Sequence, residues 1–586
     1  MAYSFLCRIL YSSSKTYFVN ENSSFNRGYS SGVQRSSSGV KPLVSTYFKF
    51  EESCVMLIFM FACTKDSEQV SFGNDSFCKS GRRAPWIKEE DQGDWEKQSP
   101  DGWKEHPDSD WKIHNFAGGG VVVADFNGDG REDVYLAKVS TDELFLNQGE
   151  RQFTLASDWI PQRPQTTLEL PTASVGGAAA DYDGDGDQDL FLLTVHGPDV
   201  LLRNEGDHFT DQTLAVGLSL NEQDSGAAVW ADYDLDGDLD LFVGAHLEAL
   251  FSFAASDDDY AYPEPGPNHL YRNDGDFFTE VDLYIESEHE FTLGAAWLQY
   301  EPGELPDLYV VNDFGQYNTP NRLYRQTQEG FEPESSRSGA ELGMFGMGLS
   351  VGDLNDDLLP DMWISDEKSA KLLLSMGDRE WYEASSSLGL DFVLSSQRFG
   401  WGGNLVDFEN DGDLDAFVGY GPLPGYHLDP EDDPPEQHDS FFLNSKGQFR
   451  WKTGDWKLDD GNVSRGAIFA DLDHDGLLDL IRPSLVGPAE IMWGDCMGGN
   501  WLSIALRDTQ SKNLNGIGAR VVVEGGEERW TRWVVSGESF ASSAPSVAHF
   551  GLGSYDGSVT VTVDWVDGHR TQKKISVLNQ RKIISR

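Results

Sequence analysis

Short runs of alternating apolar and polar residues, bounded by Gly, Asn or Asp, fill the chain from about residue 118 onward. Such runs predict half-buried strands joined by tight turns. The runs are phased. A small-residue patch opens each unit: Gly118-Gly119-Gly120, Gly176-Gly177-Ala178, Gly226-Ala227-Ala228, Gly294-Ala295-Ala296, Gly346-Met347-Gly348, Gly400-Trp401-Gly402 and Gly466-Ala467. An acidic nonapeptide follows each patch. About 22 residues after most of its starts comes an apolar run ending in a turn (LFLNQG, LLRNEG, LYRNDG, FFLNSKG), with Phe153, Phe209, Phe277 or Phe449 opening the next strand. Each unit therefore predicts four short strands, the acidic segment joining the first two. Seven starts, 51 to 67 residues apart, predict an all-β chain built as a seven-bladed β-propeller. The last unit ends at Ile491–Cys496 without a fourth strand, and a segment near Trp111–Phe116 is expected to supply it.

The acidic segments follow D-x-[DN]-x-D-G-x-x-D, in which side chains at positions 1, 3, 5 and 9 and the carbonyl at position 7 can converge on one point. The expected metal ligands are Asp125, Asn127, Asp129 and Asp133; Asp181, Asp183, Asp185 and Asp189; and Asp232, Asp234, Asp236 and Asp240. The later units contribute Asp353, Asn355, Asp357 and Asp361; Asp407, Glu409, Asp411 and Asp415; and Asp471, Asp473, Asp475 and Asp479. Oxygen donors without His or Cys select Ca²⁺, and Mg²⁺ less well, so five to six calcium sites are expected. The loop at Asp353 has Leu358 where the turn glycine belongs, and the unit beginning at Gln299 has lost most of its acids and is expected to bind nothing. Asp and Gly are also ordinary turn residues. Recurrence in register is what turns of that ordinary kind do not explain.

Charge strengthens the metal reading. The chain has 98 acidic and 44 basic residues, a net charge of −54 over 586 residues. That excludes a nucleic-acid partner as an expectation and disfavours anionic membranes. Five cysteines in no regular spacing leave disulfides without a structural role. Residues 1–63 form a leader, Ser/Tyr-rich and then apolar over Cys54–Ala62, a run too short to span a bilayer but suited to a signal peptide. Met60-Phe61-Ala62-Cys63 resembles a bacterial lipobox, which would make Cys63 a lipidated residue and the only membrane attachment. Residues 64–110 read as a polar linker, 111–497 as the propeller and 498–586 as a small β domain.

The Gly/Ala patches with DxDxDG loops resemble FG-GAP (VCBS-type) repeats, the blades of integrin α-subunit propellers. Past Asn500, Asn515-Gly516-Ile517-Gly518-Ala519-Arg520 and His549-Phe550-Gly551-Leu552-Gly553 resemble the ASPIC/UnbV domain. Together they are similar to the cartilage acidic protein family and its bacterial relatives. The resemblance implies an integrin-α-like propeller followed by a small β-sandwich-like domain, in an exported, calcium-binding, non-enzymatic protein. From the residues themselves, GIGAR and HFGLG read as turn geometry and His549 as a packed strand residue.

Two units carry long insertions between their second and third strands, His246–Pro267 and Gly421–His438, on the face away from the acidic loops. Asp257, Asp258, Asp259, Tyr260, Tyr262, Tyr426, His427 and Asp429, with Asn312, Asp313 and Phe314, form the expected ligand face, suited to a glycan or a basic protein patch. No HExxH, P-loop or Rossmann signature occurs, and no catalytic residue is assigned. The expected role is a secreted or cell-surface binding or adhesion module for an extracellular glycan or protein. The alternatives are a propeller-based hydrolase or lyase, or a purely structural envelope lipoprotein.

Overall fold

The computed structural model describes residues 86–88 and 118–586, apart from 139–140, 163–171, 196, 219–221, 249–264, 276, 284–289, 335, 368–369, 391–398, 422–437, 454–463, 485–488 and 495–498. Strands dominate it; the described α-helix is the four-residue Ser385–Leu388. No helix among the described residues is long and apolar enough to cross a membrane. Cys63 lies outside them.

Seven antiparallel sheets correspond to the seven sequence units. Sheet 1 comprises Val121–Ala124, Asp133–Leu136, Glu143–Gly149 and Gln152–Leu155. Sheet 2 comprises Ala173–Ala180, Asp189–Val195, Val200–Asn204 and Phe209–Asp211. Sheets 3 to 6 repeat the order from first strands Glu222–Ala231, Thr292–Leu298, Leu349–Gly352 and Gly400–Val406, sheet 3 gaining Gly197–Pro198 as a fifth strand beside its first. Sheet 7 holds Ile468–Ala470, Asp479–Arg482 and Glu490–Gly494. Its fourth strand is Trp86–Lys88, in register Trp86↔Gly494, and not the expected Trp111–Phe116, which lies outside the described residues. Any stretch of three backbone residues can complete an antiparallel ladder, so side-chain pattern alone could not locate it.

Adjacent sheets are joined at their inner strands. The Gly120 amide donates to Val175 O at 2.9 Å, Gly346 N to Asn312 O at 3.1 Å and Gly402 N to Arg465 O at 2.8 Å. Gly466 N donates to Gly119 O at 2.8 Å, which brings sheet 7 back to sheet 1 in a propeller-like ring. The core is split into wedges between sheets, such as Val122, Phe126, Leu190, Leu192 and Phe209 between sheets 1 and 2. Each such buried aliphatic or aromatic side chain stabilises by roughly 1.5–3 kcal/mol.

Residues 500–586 form two further sheets. One runs Glu528–Trp533, Arg520–Gly525, Val559–Asp564, Arg570–Ile575; the other runs Val547–Gly553, Asn500–Arg507, Gln580–Ser585, its last strand parallel to Asn500–Arg507. Leu502, Ile504, Phe550, Val521, Val561 and Val563 share one core between them, as in a sandwich. HFGLG is strand, not turn, whereas Gly516 and Gly518 do turn the chain at positive φ.

The segment Ser536–Ser543 leaves this sandwich and enters the middle of the ring. The Ser536 hydroxyl donates to Ala179 O at 2.6 Å, and Gly177 N donates to Ala541 O at 3.0 Å. Leu349 and Ser539 exchange backbone hydrogen bonds at 3.0 and 2.8 Å, and Ser543 N donates to Val121 O at 3.0 Å. Phe540 is fully buried, edge-on to Trp401 with ring centroids 4.9 Å apart. The small-residue patches therefore make room for this segment as well as for neighbouring blades. A Cβ on Gly176 would overlap the Ala541 carbonyl oxygen.

Candidate metal centres and the domain that covers them

Each acidic loop joins the first two strands of its sheet and has one backbone form. The position-1 carboxylate accepts the amide of position 6: Gly130 donates to Asp125 at 2.8 Å, Gly186 to Asp181 at 3.0 Å and Gly412 to Asp407 at 2.8 Å. Position 6 needs positive φ, as at Gly186 (φ 103). The Asp353 loop keeps the same form without glycine: Leu358 has φ 72 and donates to Asp353 at 3.0 Å. Position 4 is left-handed too, at Leu235, Asp356, Asn410 and His474, which sequence pattern did not reveal.

The position-9 carboxylate is fully buried and ties the loop to the third strand. Asp189 accepts Tyr182 N at 3.2 Å and Asn204 N at 2.8 Å; Asp240 accepts Tyr233 N and Asn273 N; Asp415 accepts Phe408 N and Asn444 N. The turn asparagines, expected only as hairpin residues, reach across to the previous sheet. Asn204 Nδ2 donates to Phe126 O at 2.7 Å, Asn273 Nδ2 to Tyr182 O at 2.9 Å and Asn147 Nδ2 to Leu472 O at 2.8 Å. Four recurrences of Asn at one register position were the available signal.

Four loops bring three carboxylates together, each offering an oxygen within 4.8 Å of the others: Asp181, Asp183 and Asp189; Asp232, Asp234 and Asp240; Asp407, Glu409 and Asp415; Asp471, Asp473 and Asp479. Position 5 stands apart from these groups, its carboxylate accepting the amide two residues on, as Asp185 does from Asp187 N at 3.0 Å. Asp236, Asp411 and Asp475 do the same. The loops at Asp125 and Asp353 have Asn127 and Asn355 at position 3, hence one carboxylate fewer; Asp129 is ion-paired to Arg131, while Asp133, Asp357 and Asp361 hold backbone amides.

Such clusters are electrostatically expensive alone. At an effective dielectric near 20, like charges 4 to 5 Å apart repel by about 3–4 kcal/mol per pair. Burial, and then neighbouring carboxylates, raise Asp181, Asp232 and Asp471 to about 7 and Asp411 to about 8. Asp189, Asp240, Asp415 and Asp479 lie well above the ordinary range for the same reason. Several buried oxygens have no hydrogen-bond partner among the described residues: Oδ1 of Asp232, Asp234 and Asp471, and Oε2 of Glu409. Buried acceptors of this kind want a partner. Three convergent carboxylates, several of them with an unbonded buried oxygen, could hold a hard cation.

The Gln299 unit solves the problem differently. Its position-9 Asp307 is fully buried and pairs with Arg379 Nε at 2.5 Å, the guanidinium also lying 5.2 Å from the centroid of the Tyr300 ring. A covalently attached cation from the neighbouring sheet sits where other loops gather acids. Arg379→Ala should therefore cost about 3–5 kcal/mol by stranding a buried carboxylate, a loss that added calcium does not restore in chemical denaturation.

The C-terminal sandwich lies on this same face. Lys512 N and Asn513 N donate to Gly237 O at 3.0 Å, and Gly553 N to Asn410 O at 2.9 Å. Arg520 Nη1 reaches Leu358 O at 2.9 Å, Arg529 reaches Asp356 O, and Gln299 Nε2 reaches Val566 O at 2.9 Å. His549, packed as expected, bonds Asn410 Oδ1 at 2.8 Å and Ser503 at 3.0 Å. The opposite face is less completely described. Asp257, Asp258, Asp259, Tyr260, Tyr262, Tyr426, His427 and Asp429 lie outside the described residues. Asn312 and Asp313 are buried, Asn312 bonded to Thr292 and Pro320 and Asp313 to His246 at 3.3 Å, while Phe314 is half-buried and stacks on His246.

Comparison with known proteins agrees with this architecture. Residues 125–192 and 181–243 match the FG-GAP-like repeat, and residues 509–586 match ASPIC and UnbV. Cartilage acidic protein 1 of Xenopus tropicalis is 24% identical over 499 residues, covering 72% of this chain and 74% of the frog protein. The human protein of that name is 23% identical over 482 residues, covering 78% of this chain but only 61% of its own length. Among solved structures, an Agrocybe aegerita lectin that recognises non-reducing terminal N-acetylglucosamine aligns at TM-score 0.35 and 15% identity, over 58% of this chain and 81% of the lectin. The extracellular domain of a putative hybrid two-component system from B. thetaiotaomicron aligns at 0.37 and 9%, over 80% and 57%. Likenesses of that size carry no argument. The chain thus carries FG-GAP-like repeats ahead of an ASPIC/UnbV domain and is similar to cartilage acidic protein 1.

Proposed function

We propose that the chain is an exported, calcium-binding, seven-bladed propeller that serves as a binding or adhesion module for an extracellular glycan or protein, without turnover. The observation that carries the metal half is the set of unbonded buried oxygens within the three-carboxylate clusters. Oxygen-only donors suit Ca²⁺, and loops of this kind hold it with the modest affinity that extracellular calcium levels satisfy. An extracellular setting also suits FG-GAP repeats and relatives whose name places them in cartilage.

The calcium is structural in this reading. Its loops are covered by the C-terminal sandwich, so the ligand is met on the other face, the one expected to carry the two long insertions. When bound, the ion neutralises carboxylates; the chain's own part is to aim positions 1, 3 and 9 at one point and to brace the loops against the sandwich.

A glycan array probed with the purified chain, in calcium and in chelator, with analysis of products, tests the proposal. Saturable, calcium-dependent retention with unchanged glycans is expected. Released products would make the chain a hydrolase or lyase, and absence of retention from both glycan and protein arrays would leave only a structural envelope role.

A further inference from the structure

In a chain with a net charge of −54, the stretch from Gly568 to Arg586 contains no acid and has Arg570, Lys573, Lys574, Arg581, Lys582 and Arg586. Its two strands, Arg570–Ile575 and Gln580–Ser585, are each the outer strand of their sheet, one paired only with Val559–Asp564 and the other only with Asn500–Arg507. The arginines are engaged: Arg570 with Asp564, Arg586 with Asp508 and Asp567, and Arg581 with Glu132. The lysines are not. Lys573, Lys574 and Lys582 are exposed and have no ion-pair partner among the described residues. Beside them Val577 and Ile583 are 67% and 63% exposed, among the most open apolar side chains described.

We propose that these two edge strands form a docking strip for an anionic polysaccharide. The three lysines are split between two sheets joined through residues 576–579, an array suited to a polymer with a charge every few ångströms rather than to one small anion. Lysine is a strongly hydrated point charge, matched to sulfate and carboxylate groups on a flexible chain rather than to planar bidentate recognition. The strip has no Trp, Tyr or Phe on which bases could stack. The acidic bulk of the molecule does not cancel it, because fields reach only about 8 Å at physiological ionic strength. A second copy of the chain, paired edge to edge, would bring a strip of like charge to this one.

The test uses the full chain in saturating calcium with heparin as the probe, at about 0.1 M salt, where the screening length is near 10 Å. Retention that weakens as salt rises is expected, with a loss of at least about tenfold in affinity in a Lys573→Glu, Lys574→Glu, Lys582→Glu variant. A triple Lys→Gln variant, gentler on folding, should lose several-fold, and all variants should melt as the parent does. Equal retention of parent and variants would overturn the proposal, leaving the lysines as guards against edge-to-edge pairing. Retention of duplex DNA as strong as that of heparin would overturn it too, as would salt-sensitive self-association in place of heparin binding.

Discussion

Stripped of divalent cations, the chain should unfold at least about 10 °C below its melting point in excess Ca²⁺. One site filled at a hundred times its dissociation constant stabilises by about 2.7 kcal/mol. The four three-carboxylate groups together give roughly 11 kcal/mol, and at about 2.1 cal/mol/K per residue each kcal/mol moves the midpoint of a body this large by about 1 °C. Scanning calorimetry with and without chelator, alongside elemental analysis of the purified protein, measures this directly. A metal-free protein with an unchanged melting curve would remove the structural role assigned to the clusters. The pH response has a definite sign. In the metal-free fold Asp181, Asp232 and Asp471 titrate at about 7 against an ordinary 3.8, so the folded state holds more protons between those values. Metal-free stability is therefore full below about pH 4 as far as these groups are concerned, and falls as pH rises towards 7. In saturating calcium the trend reverses over that window, because protons compete with the ion. Denaturant midpoints at pH 5 and pH 8, with and without calcium, read out the crossing.

Phe540→Ala should destabilise the chain by about 3–5 kcal/mol, the cost of emptying a site filled by a buried aromatic. Phe540 has no solvent exposure and meets Trp401, which also has the Arg465 guanidinium 4.4 Å from the centroid of its indole. Gly176→Ala should act on the same contact from the other side, because its methyl would collide with Ala541 O. Both changes should expose the connection between ring and sandwich to protease while the separate sheets keep their far-ultraviolet signal. Were the Phe540 variant as resistant and as stable as the parent, the segment Ser536–Ser543 would be an ornament of the sandwich and not part of the ring's core.

Much of the architecture was legible from periodicity, for a local reason. A strand that buries one face must alternate, a tight turn must use Gly, Asn or Asp, and seven such units in phase leave few alternatives to a ring of sheets. The acidic loops were legible because ligand convergence depends on residues a few positions apart along one turn. Less visible was what each side chain does beyond its own turn. Asn147, Asn204 and Asn273 read as hairpin residues, yet their amides clamp the preceding sheet. Position 5 read as a ligand, yet Asp185 and its equivalents cap the loop backbone and stay out of the three-carboxylate groups. Leu358 read as a break in the pattern, yet it adopts the glycine conformation. Its local strain is outweighed by the amide it gives Asp353 and by the cover of Arg520 and Arg529.

By itself, then, the order of residues determined the all-β class, the sevenfold repeat, the change of domain near residue 500 and the acids that could gather round a cation. Contacts between residues far apart in sequence were decided by the tertiary structure alone: Trp86–Lys88 completing sheet 7, Arg379 standing in for a cation at Asp307, and Ser536–Ser543 filling the ring under a sandwich that covers the acidic loops. The reason is range. Turn and strand preferences are set by covalent neighbours, whereas these partners meet only through backbone amides, a single guanidinium and shape, none of which leaves a periodic mark on the chain.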